Sequence, residues 1–522
     1  MINEEKNKIC CKKLVFLAAV SLSVLPSFAF AQQVDTAWVR RYNGPGNGDD
    51  KAVALAVDDS GNVYVTGSSF DSATGYDFAT IKYYPNGDTA WVRHYNGPDN
   101  LDDFAVELAL DDSGYAYVTG TSTNNLLSGC SCPCGFRSEF ATIKYTPNGD
   151  IVWVKRSHGG AYGLSCDSVT SLALDKNGNV YVTGMSSEYC GLDFPDNQYR
   201  TIKYASNGDS LWANYFPARL CYAPHAHLAV DGNGSVYVAA GGPDYVTVKY
   251  DSSGDQLWMR TYNGPSNGED FARAIAVDSG GNTYVTGSSG VDFATIKYDS
   301  IGNQVWIRRF GSFSSTDGDG GYALVANKSD YVYVAGRFTE YEPGFFSWLT
   351  FKYDSVGSLL WFRYSTPDVR RTGTVMALDS NADVYVAGGS GNGYLTIKYQ
   401  SDGSQLWERG YAGSGAHTDQ INAIAVDNGS SVYVTGVSFD NGTDNDYATI
   451  KYSPFPQMKG DLNADGILTA SDVVLILNCA FLGIPPPNAP PAACDLNCDG
   501  VLTAADVVIL LNMAFLASPP PC

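Results

Sequence analysis

Residues 52–95 read AVALAVDDSGNVYVTGSSFDSATGYDFATIKYYPNGDTAWVRHY, and this stretch decides the architecture. AVALAVD alternates in side-chain size with a period of two. DSGN is a turn, VYVTGSS is β-branched and aromatic, and ATIKY runs through the hairpin turn PNGD into the tryptophan strand WVRHY. The unit is therefore four short antiparallel strands. It recurs from Trp38 to Tyr452. VYVTG or a variant begins at Val63, Ala116, Val180, Val236, Thr283, Val332, Val384 and Val432, spaced 47 to 64 residues apart. TIKY or a close relative ends at Tyr83, Tyr145, Tyr204, Tyr250, Tyr298, Tyr353, Tyr399 and Tyr452.

Units of this length carrying four strands are the signature of propeller blades, which bury their faces against one another. The tryptophan strands lie around Trp38, Trp91, Trp153, Trp212, Trp258, Trp306, Trp361 and Trp407, whereas the last TIKY is followed by Pro454 and Pro456. The eighth unit thus lacks an outer strand, and the unpaired strand around Trp38 would complete it and remove an exposed sheet edge. The expected fold is mainly β: an eight-bladed propeller closed by the N-terminal strand. Seven blades is the alternative if a divergent unit, such as the one starting GYALVANKSD, forms no blade. Motifs such as DDSGNVYVTGSS and DFATIKYYPNGD resemble the SBBP β-propeller repeats of secreted bacterial proteins, over about four-fifths of the chain. That family implies a fold and no particular reaction.

Beyond the repeats the chain writes one loop twice, as DLNADGILTASD from Asp461 and DLNCDGVLTAAD from Asp495, each running into an apolar helix. Spacing of this kind places oxygen donors around calcium, with side chains at positions 1, 3, 5, 9 and 12 and a backbone carbonyl at 7. The ligands would be Asp461, Asn463, Asp465, the Ile467 carbonyl, Thr469 and Asp472, then Asp495, Asn497, Asp499, the Val501 carbonyl, Thr503 and Asp506. Gly466 and Gly500 stand at the sharp turn of position 6. The approaches YSPFPQMKG and GIPPPNAPPAAC contain prolines that forbid a regular preceding helix, so each unit is half of an EF-hand.

Two such loop-helix halves resemble a type I dockerin from about Gly460 to Leu516, including Asp at position 12. The resemblance implies a small α-helical domain that binds two calcium ions and docks onto a cohesin-type partner. It also implies that positions 10 and 11 help to read that partner: Ala470 and Ser471 in the first copy, Ala504 and Ala505 in the second.

At the other end, Lys6, Lys8, Lys12 and Lys13 precede LVFLAAVSLSVL, and Ala29-Phe30-Ala31 makes a small-x-small cleavage site. This reads as a secretory signal peptide over 1–31. The expected organisation continues with a propeller over 32–453, a linker over 454–459 and a dockerin-like domain over 460–522. No later segment has the apolar length of a membrane span. The formal charge is -22, and removal of the leader, four Lys against Glu4 and Glu5, leaves about -24. With no basic cluster beyond the leader, nucleic acid is excluded as a partner. Export makes disulfides the expected state of Cys130, Cys132, Cys134, Cys166, Cys190 and Cys221 in the body and of Cys479, Cys494, Cys498 and Cys522 in the tail. A zinc knuckle at CSCPC is the alternative.

Chemistry within the propeller is sparse. The turns NGPGNGDD, NGPDNLDD and NGPSNGED bring Asp49, Asp50, Asp102, Asp103, Glu269 and Asp270 to one face beside Asp77 and Asp292, and their recurrence favours structural turns over a catalytic pair. His225 and His227 occur in one unit only, where packing is preferred to metal binding. GxSxG, HExxH and phosphate-loop motifs are absent from the sequence. The reading is a secreted, extracellular or surface-associated calcium-binding protein whose propeller displays loops for recognition in an assembly that degrades polysaccharide. A carbohydrate-active hydrolase or lyase is the first alternative, since 35 tyrosines and 9 tryptophans allow an aromatic sugar-binding surface. A structural or adhesive surface protein is the second.

Overall fold

A computed structural model describes residues 34–124, 137–159, 166–187, 197–217, 226–311, 320–327, 329–339, 346–365, 374–390, 393–413, 419–440, 442–454, 473–478 and 506–511. The strands from Val34 to Pro454 form eight four-stranded antiparallel sheets. Seven sheets are built from consecutive strands, the first being Asp50–Val57, Val63–Asp71, Gly75–Tyr83 and Thr89–Tyr95. The unit beginning GYALVANKSD forms the sixth blade, with strands Gly320–Ala326, Val332–Thr339, Phe346–Tyr353 and Leu359–Tyr364, so the seven-bladed alternative is set aside. The innermost strands touch in succession, and Asp50–Val57 of the first blade meets Gln420–Val426 of the eighth, closing the ring.

The eighth sheet is completed by the N-terminal strand. Val34–Tyr42 pairs antiparallel with Asp444–Pro454, from Val34 opposite Pro454 to Tyr42 opposite Tyr447, with a bulge between Thr36 and Trp38. Arg41 pins this pairing, donating to the Ser438 carbonyl at 2.9 Å and to Asp446 at 3.0 Å.

The markers recur because each holds a blade to its neighbour. The second-strand tyrosines Tyr64, Tyr117, Tyr181, Tyr237, Tyr284, Tyr333, Tyr385 and Tyr433 are all fully buried between sheets. The TIKY lysine of one blade reaches a carbonyl in the hairpin turn of the next: Lys82 Nζ donates to Pro147 O at 3.1 Å and Lys249 Nζ to Ser300 O at 3.1 Å. The outer-strand tryptophan joins it, as Trp91 Nε1 donates to Pro147 O at 3.1 Å. The turn glycine lies against that indole, and at Gly87, with φ +87°, a Cβ would stand 2.9 Å from Trp38. Closure uses the same parts, since Lys451 and Trp38 of the eighth blade both donate to Pro85 O of the first, at 3.3 and 3.0 Å.

One junction departs from this rule. In the eighth blade TIKY runs into Ser453-Pro454 instead of a PNGD turn, so the seventh blade faces no hairpin carbonyl. There Lys398 binds Asp379 at 3.2 Å and Asp383 at 3.1 Å, and Arg409 donates to the Val34 carbonyl from Nε and Nη2 at 3.1 and 2.9 Å.

Candidate calcium and docking site

The C-terminal segments form a unit distinct from the propeller. Among the described residues it holds two short helices, 473–478 and 506–511. Of the residues expected to bind calcium, Asp461, Asn463, Asp465, Ile467, Thr469, Asp472, Asp495, Asn497, Asp499, Val501 and Thr503 lie outside the described residues. So do the expected partner-reading positions Ala470, Ser471, Ala504 and Ala505. Asp506 is described and fully buried at the start of its helix. The donor set fits calcium on chemical grounds: carboxylate, amide, hydroxyl and carbonyl oxygens are what a hard divalent cation takes, without sulfur or imidazole.

The helices carry a signal that loop reading missed. Ile476 and Leu510, thirty-four residues apart and equivalent in the duplication, are each 0% exposed. Val474 and Val508 are 56% and 55% exposed, and Leu477 and Leu511 are both 38% exposed. Residues three apart share a helix face. Each copy therefore buries an equivalent apolar anchor, joined in the second by Val507, and presents a valine-leucine pair to solvent, C-terminal to the expected partner-reading positions. The doubly written VV-L pattern was visible in the sequence, but its division into inward and outward apolar positions was not.

On the propeller, the aspartates of the NGP turns are fastened to backbone. Asp50 accepts from Gly44 N at 2.6 Å and Phe70 N at 3.1 Å, Asp270 accepts from Gly264 N at 2.6 Å, and Asp103 accepts from Gly97 N. Asp167 and Asp419 repeat the contact with Gly159 N and Gly413 N in further blades. Each clamps the connection entering its blade. Burial raises the carboxyls of Asp50 and Asp103 above the ordinary range, against the lowering effect of those hydrogen bonds. Asp77 accepts from Thr74 and Asp292 from Arg309, each at 2.8 Å. Asp49 accepts from Asn445 Nδ2 at 2.9 Å, and Asp102 from Tyr76 N at 3.0 Å.

His227 is half-buried opposite Ala239, and His225 lies outside the described residues. The cysteines expected in disulfides likewise lie outside them, except Cys166, which bridges to Ser138 in parallel fashion. Among the described residues no group of three or more His, Cys, Asp or Glu is placed to hold a metal ion.

Glu107 went unremarked in the sequence because it sits inside an ordinary alternating strand. It takes the place of Ala54, Ala274, Ala323 and Ala423 in sister blades, each opposite the same position of the second strand. Its Oε2 accepts from Leu172 N of the third blade at 3.1 Å. Desolvation pushes its carboxyl up to about 7, opposed by the hydrogen bonds from Leu172 and Ser171. The residue is half-buried, and its packing against the third blade desolvates the carboxyl.

No helix among the described residues is long and apolar enough to cross a membrane. No curated protein matches the sequence. Among solved structures, a polysaccharide lyase aligns over 82% of this chain and 94% of its own, at 10% identity and TM-score 0.42. A protein of unknown function from Bacteroides caccae aligns over 61% and 94%, at 11% identity and TM-score 0.32. A Lactobacillus plantarum protein aligns over 63% and 93%, at 14% identity and TM-score 0.39. Likeness at that level bears on neither reaction nor ligand. Two family models match parts of the sequence: the beta-propeller repeat SBBP at residues 37–69, 90–128, 163–189 and 260–294, and the dockerin type I domain at 459–513. The chain is thus an SBBP-type β-propeller repeat protein with a type I dockerin domain at its C-terminal end.

Proposed function

We propose that this is an exported protein whose dockerin domain, organised by two calcium ions, docks the propeller onto a cohesin-type partner in an extracellular assembly. The observation that carries this reading is the duplication itself. Two oxygen-donor loops lead into two helices, and each helix exposes an equivalent valine and leucine while burying its anchor. Three carboxylates within twelve residues repel one another until a cation neutralises them, so ion binding and ordering of the loop are one event. Val474 and Leu477, or Val508 and Leu511, then offer a partner a small apolar strip, which in sequence follows the expected reading positions Ala470 and Ser471, or Ala504 and Ala505. Leader 1–31 accounts for export.

The propeller is read as a display platform for recognition, with carbohydrate as a ligand class. Support comes from its carboxylates, because the turn aspartates Asp50, Asp103, Asp167, Asp270 and Asp419 are fastened to backbone amides, while Asp49, Asp77 and Asp292 are held by Asn445, Thr74 and Arg309. General acid and base catalysis needs a pair free to exchange protons.

Calorimetry of the full chain against a panel of cohesin-type domains tests the reading. Binding in millimolar calcium, abolished by excess EDTA and by the double substitution Asp461→Ala with Asp495→Ala, is expected. Equal binding with and without EDTA rejects it. A reducing-sugar assay on a polysaccharide panel is expected to show no turnover, and sugar release would overturn the platform reading while leaving docking intact.

A further inference from the structure

A cleft of about 390 Å³ opens between the fifth and sixth blades, walled by Glu269, Phe271, Arg273, Ser288, Tyr322 and Arg337. Arg273 occupies the bulge between Ala272 and Ala274, the position held by Val53, Val106, Thr170, Tyr322 and Asn422 in other blades. A bulge re-aims a side chain out of the sheet's alternation. Arg337 stands where other blades carry Ser68, Thr121, Met185, Gly241, Ser288, Gly389 and Val437. A residue that the fold requires recurs from blade to blade. These two do not recur, yet they fall in adjoining blades and converge on one cleft.

Arg273 also lacks what a structural arginine has. Its guanidinium lies 4.9 Å from the centre of the Tyr322 ring, and its Nε is shut off from solvent with no hydrogen-bond partner. It forms no ion pair among the described residues, in a chain with 55 acidic against 33 basic side chains. Blades elsewhere satisfy their arginines with carbonyls, as Arg260 does with Gly302 O at 2.6 Å. The terminal nitrogens of such a planar guanidinium, held in place without an acceptor, are matched by an incoming oxyanion. Phe271 and Tyr322 add apolar surface, while Glu269 and Ser288 present oxygens that accept from hydroxyl groups.

We propose that this cleft binds a small hydroxylated anion, a sugar acid or sugar phosphate, with its oxyanion between Arg273 and Arg337 and its ring against Tyr322. The proposal is independent of the docking function.

Isothermal titration of the full chain with glucuronate, glucose 6-phosphate, inorganic phosphate and neutral glucose tests it. At least one anionic sugar is expected to bind at least about tenfold more tightly than glucose, with affinity falling as salt rises. Preference for glucuronate or for the phosphate identifies which oxyanion the site takes. Arg273→Val and Arg337→Ser install residues that sister blades already carry at those positions, and each is expected to weaken the preferred anion by about tenfold with an unchanged melting temperature. If no anionic sugar outbinds glucose on the unaltered chain, or if neither folded variant changes the affinity, the proposal fails. Inorganic phosphate binding as tightly as glucose 6-phosphate overturns the part assigned to the sugar ring.

Discussion

The propeller and the C-terminal domain are both repeats, but they treat charge in opposite ways. In the propeller each recurrent charged group has a partner from the chain: turn aspartates take backbone amides, TIKY lysines take hairpin carbonyls, and Lys398, where the hairpin is missing, takes Asp379 and Asp383. In the tail the acidic loops Asp461–Asp472 and Asp495–Asp506 concentrate three carboxylates each, and the sequence from 461 to 522 contains no lysine or arginine, Lys459 just ahead of the first loop being the nearest cation in sequence. Under the proposed function, the first repeat is complete when the chain folds, whereas the second takes a cation from solution.

Calcium removal tests this contrast with the largest expected effect. Excess EDTA should abolish docking and reduce tail helicity, followed by circular dichroism, while the main calorimetric transition of the propeller stays in place. A fall of that transition on chelation would show that the propeller too relies on the ion.

Next in size is Lys398→Met. It removes the cation from two carboxylates, Asp379 enclosed and Asp383 half-buried, that keep hydrogen bonds from Tyr385 OH and Ser401 N, so a loss of about 2–3 kcal/mol is expected in denaturant unfolding. Lys82→Met, which forfeits one carbonyl contact and a cation–π contact with Tyr64 at 4.8 Å, should cost about 1–2 kcal/mol. Equal costs would mean that the irregular junction is no more dependent on its lysine than the regular ones.

Glu107→Ala sharpens the comparison from the other side, because it removes a charge that the propeller houses poorly. The folded carboxyl titrates near 7 and the unfolded one near its ordinary value of 4.5, so between these values the folded chain holds a proton that the unfolded chain has released. Stability then falls as pH rises through that window and stays lower above it. The alanine variant should gain about 1–3 kcal/mol at pH 8 relative to the parent, with little gain near pH 4.5. A gain independent of pH would remove burial of the charge as its cause. The smallest effect is expected from Leu477→Ser and Leu511→Ser, whose side chains are partly exposed: within about 0.5 kcal/mol in tail stability, but measurable weakening of cohesin binding when combined.

Much of the fold is legible in the sequence alone. VYVTG, TIKY and the tryptophan strand each belong to one strand, and their order, with Trp38 left over at one end and Tyr452 unpartnered at the other, already implied the closing strand. The two loops proposed to hold calcium were equally plain, since a coordination shell drawn from one short segment is written in consecutive residues. Less legible were features assembled from several blades. Glu107 looked like any polar residue in an alternating strand, and Arg273 and Arg337 stand far apart in sequence within different units.

The amino-acid sequence by itself determined the kind and order of the repeats and the route of closure, because these follow from local spacing and strand periodicity. Only the tertiary structure decided what Lys398 binds, which helix residues face outward and where two unrepeated arginines meet. Those outcomes depend on contacts between segments that local patterns do not relate, where burial and the presence or absence of a neighbouring acceptor set the energy.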